Sequence, residues 1–337
     1  MTTYYDIAII GATGAVGEVL LKILEEREFP VNELYLLASP RSAGKKIQFK
    51  DKMYTVKSVE DFDFSTVRFS FFSAGSAVSK QYVPRAAEAG SIVIDNTSCF
   101  RYESDVPLVI PEVNPQDLEN YRERNIIANP NCSTIQMLVA LKPIYDAAGI
   151  TRINVATYQS VSGAGRRAIE ELAQQTTALL NAQEPLFDAF PQQIAFNVLP
   201  HIGDFQDNGY TLEEMKMIWE TQKILHDHEI LVNPTTVRVP VFYGHSEAIH
   251  CETRQPISIE EVKAILKQAP GVVLMEENEY PTAFHHAAHN DEVFVGRVRQ
   301  DLSHPQGINL WVVADNIRKG AALNTIQIAE HLIGKHF

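Results

Sequence analysis

Three residues could carry nucleophilic chemistry, the thiols Cys99, Cys132 and Cys251. They differ in setting. Cys132 lies in Asn129-Pro130-Asn131-Cys132-Ser133-Thr134, directly before the apolar run Ile135–Ala148, where Met137, Leu138 and Leu141 fall at helical spacing. Pro130 ends the segment before it, so Cys132 is expected at or just before a helix N-terminus. The partial positive charge there favours the thiolate, the form that attacks a carbonyl. Cys99 and Cys251 lack such a position and are expected to be structural. A thiolate working on a carbonyl needs an acid or base beside it. The candidate is His245, in Tyr243-Gly244-His245-Ser246-Glu247, where Gly244 leaves room for close approach. His285, His286 and His289 also cluster, but no cysteine or carboxylate completes a ligand set, so a solvated loop and no metal are expected.

A second chemistry is written in glycine. Gly11-Ala12-Thr13-Gly14-Ala15-Val16-Gly17 follows a short apolar run and opens a helical pattern. Glycines at offsets 0, 3 and 6 are a variant of the dinucleotide fingerprint. A turn without Cβ atoms lets the backbone approach a pyrophosphate, and the helix end supplies N–H donors. The end of the second strand decides the cofactor. An acidic residue there would suit the ribose of NAD; the chain offers Ser39-Pro40-Arg41-Ser42-Ala43-Gly44 instead. An arginine flanked by hydroxyls suits a 2′-phosphate, so NADP is favoured.

These groups need positioning, and the hydrophobic pattern says by what. Asp6–Ile10, Leu34–Ala38, Val67–Phe72, Ile92–Ile94 and Ile126–Ala128 read as short buried strands. Helical patterns at Val16–Leu24 and Ser76–Ala89 alternate with them. Such alternation is the signature of parallel pairing, a doubly wound α/β fold. After about residue 150 the pattern changes to longer strands at Ile153–Gln159, Thr236–Val241, Glu247–Thr253, Glu292–Arg299 and Ile308–Val313. Helices fall near Gly165–Ala182, Thr211–His226 and Ile259–Gln268. An α+β domain around a mixed sheet is expected. In Thr236–Val241 the three valines alternate with polar residues, which places the valines on the buried face and Arg238 on the open one. Thr211 with Glu214 makes a capping box, so the acidic residues there could serve the helix end alone. Lys319–Ile333 is helical, with Ala322, Ile326 and Ala329 on one stripe.

Length suggests two domains. With 29 Lys and Arg against 42 Asp and Glu, the net charge of −13 argues against a nucleic-acid partner, which needs clustered cations. No apolar run approaches the ~18 residues of a membrane span. The N-terminus has no basic segment or cleavage site of a signal peptide. Three cysteines cannot all pair, which favours a reducing, cytoplasmic compartment.

Taken in order, these segments resemble one family over the whole chain, the bacterial NADP-dependent aspartate-semialdehyde dehydrogenases. The resemblance rests on GATGAVGE (11–18), LLASPRSAGK (36–45), FFSAGS (71–76), DNTSCFR (95–101), VIPEVNP (109–115), NPNCSTIQM (129–137), TYQSVSGAG (157–165), EEMKM (213–217), RVPVFYGHSEA (238–248), FVGRVRQD (294–301) and WVVADNIRKGAA (311–322). It implies a Rossmann-type NADP-binding domain over residues 1–130, completed by a C-terminal helix within 316–337, and a catalytic and dimerisation domain over 131–315.

It also implies the reversible, NADPH-dependent conversion of L-4-aspartyl phosphate to L-aspartate 4-semialdehyde and inorganic phosphate, on the route to lysine, threonine and methionine. By the same resemblance Cys132 forms an acyl-thioester, His245 is the acid/base and Gln159 orients the substrate. Arg238 grips the substrate carboxylate, Glu213 takes its amino group, and Arg101 and Lys216 hold the phosphate. Thr13 and Val16 join the cofactor loop, Arg41 and Ser42 meet the 2′-phosphate, and Ser162, Gly163 and Asn316 lie near the nicotinamide. A homodimer is implied too. The competing readings are N-acetyl-glutamyl-phosphate reductase, which shares the GATG opening and a cysteine nucleophile, and a catalytically silent NADP-binding paralogue, which would lack Cys132 or His245.

Overall fold

The computed structural model of the protein describes residues 3–336. The chain forms two compact units. One comprises the residues up to Pro130 together with those from Ala321 onward, the other Asn131–Gly320.

In the first unit the chain runs β1 (Tyr5–Ile10), α1 (Ala15–Glu26), β2 (Val31–Ala38), the hairpin β3 (Lys46–Phe49) and β4 (Lys52–Thr55), β5 (Lys57–Ser58), β6 (Phe69–Phe72), α2 (Ser76–Glu88), β7 (Ile92–Asp95) and β8 (Ile126–Ala128). The sheet order is β5-β2-β1-β6-β7-β8, every pairing parallel. From the central β1 the chain winds first towards β2 and then back to β6, which is the doubly wound arrangement. β1 is buried along its length except at Asp6, as expected of a strand covered on both faces. The C-terminal helix (Leu323–His336) closes this core: Leu323, Ile326, Ala329 and Leu332 join Leu20 and Leu24 of α1 in one cluster. Arg27 and Glu330 then form a two-bond pair at 2.8 and 2.7 Å. The β3–β4 hairpin was not legible in the sequence, because its strands are short and largely exposed.

The second unit runs α3 (Cys132–Ala148), β9 (Ile150–Gln159), α4 (Arg166–Leu180), α5 (Leu212–Leu225), β10 (Leu231–Arg238), β11 (His245–Thr253), α6 (Ile259–Gln268), β12 (Val272–Leu274), β13 (Val293–Gln300) and β14 (Gly307–Ala314). Its sheet order is β10-β9-β11-β14-β13-β12. The β10–β9 and β12–β13 pairs are parallel and the rest antiparallel, so the sheet is mixed. α3 packs on β11, β14 and β13 and is buried continuously from Ser133 to Leu141, a central helix rather than an amphipathic one.

One expectation is corrected here. The strand read as Thr236–Val241 is β10, Leu231–Arg238, and its faces are reversed: Thr236 and Arg238 are buried while Val237 is only half-buried. Polar residues can point inward because partners await them, as the site below makes plain. The last helix begins as expected near Lys319: Arg318–Ala322 forms a π-helical turn that runs on into the α-helix Leu323–His336. The Asp315 carboxylate accepts from the N–H groups of Ile317 and Arg318 at the entry to that turn.

Candidate active site

The site in the second unit is built around the first turn of α3. Asn131 caps this helix: its Oδ1 accepts from the N–H groups of Ser133 (3.0 Å) and Thr134 (3.3 Å). Its own N–H donates to Glu220 Oε2 at 2.6 Å, and its Nδ2 to Glu213 Oε1 at 2.8 Å. Two carboxylates of α5, one at its start and one two turns on, therefore fix the residue before the cysteine. Cys132 is the first residue of α3, half-buried, with both neighbours buried. Gly320 presses against it so closely that a Cβ there would lie 2.7 Å from the Cys132 Cβ.

Charged groups converge on the same turn. Glu213 Oε2 receives Lys216 Nζ at 2.9 Å, the i,i+3 pair that α5 puts on one face. Burial pushes Glu213 up, but the Lys216 charge and hydrogen bond, the Asn131 amide and Arg238 outweigh it and hold the carboxyl down at about 2. The neighbouring Glu214 does the capping: it takes the Thr211 N–H at 2.7 Å, and the Thr211 hydroxyl takes its own N–H. The acidic pair thus divides into one cap and one site residue. Arg238 reaches inward and donates from Nη1 to the Ser160 carbonyl at 2.7 Å. Burial lowers its pKa, opposed by Glu213 and Cys132. Gln159 donates from Nε2 to Ser133 Oγ at 2.6 Å and to Glu213 Oε1 at 3.4 Å.

His245 is fully buried. Its Nδ1 accepts the Ser160 backbone N–H at 3.0 Å, so the neutral imidazole carries its hydrogen on Nε2. Among the described residues Nε2 has no hydrogen-bond partner. Burial, then the Arg238 charge, lowers the pKa to about 3, so the ring is neutral near pH 7. A Cβ on Gly163 would lie 3.1 Å from Arg238 Nη1 and 3.4 Å from His245 Nε2, so only glycine leaves that face clear. Asn316 Oδ1 gathers the Ser160 hydroxyl (2.9 Å), the Ser162 hydroxyl (3.1 Å) and the Gly244 N–H (3.0 Å). It ties the Ser160–Gly163 turn to the start of β11.

The first unit holds the glycine loop. Gly11 has φ +92°, and Gly17 sits where a Cβ would meet the Gly11 oxygen at 2.3 Å. α1 begins at Ala15 with Gly14 as its cap, so Val16 and Gly17 lie in the first turn. A cleft of about 430 Å³ lies at the carboxyl ends of β1 and β2. Gly11, Thr13, Gly14, Ser39 and Ser42 line it, and so does Glu60. Arg41 stands on the same Pro40–Ser42 turn, exposed and outside that lining. Arg101 is buried and donates from Nη2 to the Asn96 carbonyl at 2.9 Å.

The structure thus joins Cys132, Gln159, Ser162, Gly163, Glu213, Lys216, Arg238, His245 and Asn316 in one contiguous constellation of the second unit. It puts Gly11–Gly17, Arg41, Ser42 and Arg101 in the first. Sequence reasoning missed Asn131, Ser133, Ser160, Glu220 and Gly320. Asn131 could have been found, as an asparagine just before a helix is a cap signal. Gly320 could not, since nothing local links it to a cysteine 188 positions away. Among the described residues, no group of three His, Cys, Asp or Glu could hold a metal ion. No helix there is long and apolar enough to cross a membrane.

A doubly wound unit with a dinucleotide loop, together with a unit that has a cysteine at a helix N-terminus and a buried histidine, defines the class of nicotinamide-dependent dehydrogenases. Family models agree unit by unit: residues 6–121 match the semialdehyde dehydrogenase NAD binding domain, and residues 141–319 the semialdehyde dehydrogenase dimerisation domain. The chain belongs to the aspartate-semialdehyde dehydrogenase family, oxidoreductases of amino-acid biosynthesis. It is 62% identical to the aspartate-semialdehyde dehydrogenase of Shewanella violacea over the full length of both chains. The structure of aspartate semialdehyde dehydrogenase II from Vibrio cholerae complexed with ASA is 61% identical and covers all of both chains, with a TM-score of 0.99. The Candida albicans enzyme, solved with NADP, is 25% identical with a TM-score of 0.77 over 98% of both chains.

Proposed function

We propose that the chain reduces L-4-aspartyl phosphate to L-aspartate 4-semialdehyde with NADPH, and runs the reverse reaction with NADP⁺ and phosphate. The observation that carries this is the set of charges around Cys132. Glu213 offers a carboxylate to an ammonium group, and Arg238 a planar fork to a carboxylate, both within the constellation of the thiol. That is the recognition chemistry of an amino acid reacting at its far end. Lys216 supplies positive charge for the phosphoryl group, a role that the family resemblance gives to Arg101 as well.

In the reductive direction the Cys132 thiolate attacks the acyl carbon. The C–O bond to phosphate breaks, phosphate leaves with the electron pair, and a thioester remains. A nicotinamide held by Ser162, Gly163 and Asn316 would supply the hydride that the thioester carbon takes up. His245 holds a hydrogen on Nε2 for the oxygen of the reacting carbon, so the thiohemiacetal oxygen is stabilised as charge develops. Collapse of that intermediate expels the thiolate and frees the aldehyde. Gln159 orients the carbonyl near sulfur.

The glycine loop fits a dinucleotide on steric grounds: at Gly17 a side chain would collide with backbone, and at Gly11 φ is positive. Thr13, Gly14, Ala15, Val16 and Ser42 would hold the pyrophosphate and ribose, and Arg41 the 2′-phosphate. The lack of an acidic residue at the end of β2 supports NADP over NAD. We read the molecule as a homodimer pairing through the open face of the mixed sheet, where Tyr158 and Leu231 stand exposed. Three cysteines, none of them in a disulfide, suit the cytoplasm.

The deciding assay follows absorbance of NADPH with purified protein, aspartate semialdehyde, NADP⁺ and phosphate or arsenate. Reduction that depends on the added oxyanion is expected. Its absence, or equal use of NAD⁺, would refute the activity or the cofactor assignment respectively. Light scattering of the eluting protein should give twice the 37.7 kDa chain mass.

A further inference from the structure

β11 carries a second buried ionisable group that the reaction above does not use. Glu247 follows His245 by two positions, so strand alternation puts both on one face, the face covered by α3. It has no solvent exposure. Its register partner on β9 is Thr157, also fully buried with an unpartnered hydroxyl. Neither Glu247 oxygen has closed a hydrogen bond, and the same holds for both amide atoms of Gln136. The polar side chains that face the carboxyl are Gln136 and Ser133, which share a face of α3 at i,i+3 spacing. No cation faces it. A carboxyl in such a place costs folding free energy unless it serves its neighbours.

Ser133 is the informative neighbour. Its Oγ already accepts from Gln159 Nε2 at 2.6 Å. A hydroxyl that accepts there must send its own hydrogen elsewhere, and Glu247 is the acceptor that faces it. We propose that Glu247 is a positioning residue for the reaction, acting through Ser133 to aim Gln159. Burial pushes the Glu247 carboxyl well above its ordinary range, opposed by Gln136 and Ser133, which favours the neutral acid. The neutral acid has one acceptor for the Ser133 O–H and one donor for Gln136 Oε1. It orders the first turn of α3 without placing a charge beside the Cys132 thiolate. The inference rests on the role given to Gln159 above.

Glu247→Leu removes the acceptor and keeps the volume, whereas Glu247→Gln keeps both an acceptor and a donor. Glu247→Leu is expected to lower kcat about tenfold, with the KM for phosphate little changed, and Glu247→Gln to stay within about threefold of the parent. Ser133→Ala should cost as much as Glu247→Leu, and the double variant no more than either, because both cut one chain of contacts. Losses that multiply, or a glutamine variant as impaired as the leucine one, would overturn the proposal. Should the leucine variant fail to fold, Glu247→Met carries the same comparison. The Gln159 side-chain amide resonance tests the brace without substrate: it should shift or broaden in the leucine variant. An unmoved resonance refutes the brace, while a moved resonance with unchanged kcat refutes the role of Gln159.

Discussion

Gly320→Ala adds one methyl group and reaches Cys132, the proposed nucleophile, directly. The new carbon would stand 2.7 Å from the Cys132 Cβ and 3.2 Å from its Cα. Carbon atoms rest at about 3.5–4.0 Å, so the first contact is short by roughly 1 Å. Neither neighbour can rotate away: one is backbone and the other is the atom that carries Sγ. φ at Gly320 is not positive, so the perturbation is steric rather than conformational. Relief requires the turn Arg318–Ala322 or the start of α3 to shift by most of that 1 Å. A misplacement of that size at a reacting group costs about a hundredfold in rate. Overpacking of this kind costs about 1–3 kcal/mol in stability. The assay is steady-state kcat in both directions, beside a thermal melt and a titration with NADP⁺. The variant should fold, bind NADP⁺ as the parent does, melt a few degrees lower and turn over about a hundredfold more slowly. A kcat within threefold of the parent would refute the claim that close packing of Gly320 fixes Cys132.

Three further outcomes follow from other parts of the structure. Glu213 is held at about 2 against an ordinary 4.5, worth about 3 kcal/mol in the ionised form. That stability is fully present above pH 4.5 and is lost as the pH falls towards 2. Glu213→Gln should therefore lose about 3 kcal/mol by urea unfolding near pH 7, with the gap to the parent closing in acid; a pH-independent gap contradicts it. Gly17→Ala drives a methyl to 2.3 Å from the Gly11 oxygen and should abolish NADP⁺ binding and lower the melting temperature, read by fluorescence titration and calorimetry. Iodoacetamide near pH 7 should label Cys132 and spare Cys251, whose thiol burial pushes up to about 12; peptide mapping that finds Cys251 labelled contradicts this.

Local periodicity carried most of the fold into view, and chemistry carried part of the site. β1, α1 and Gly11–Gly17 were legible because a buried parallel strand, a glycine turn and a helix start each leave a short contiguous trace. Cys132 was legible for the same reason, with its cap and its helix adjacent in sequence. Arg238 was misplaced by the very rule that works elsewhere. Alternation assigns the apolar side of a strand to the core, and on β10 the inward side is polar because Glu213 and Ser160 meet it there. Thus the rule failed where the interior is a reaction site rather than a hydrophobic core. Gly320, Ser160 and Glu220 act through contacts far along the chain and leave no local trace. The same is true of the C-terminal helix, whose stripe of Ala322, Ile326 and Ala329 announces a buried face but not the partner it is buried against.

That helix bears on how the molecule is made. The first unit begins with β1 but is finished by the final segment of the chain, while the second unit is continuous from Asn131 to Gly320. During synthesis the usual order, in which the N-terminal portion folds first, cannot run to completion. Leu20, Leu24 and their neighbours must wait on the ribosome with one flank uncovered until Leu323, Ile326 and Leu332 have been added. The cysteine-bearing unit has by then all of its residues available. The nucleotide-binding unit, first to be translated, is therefore the last to have all of its residues.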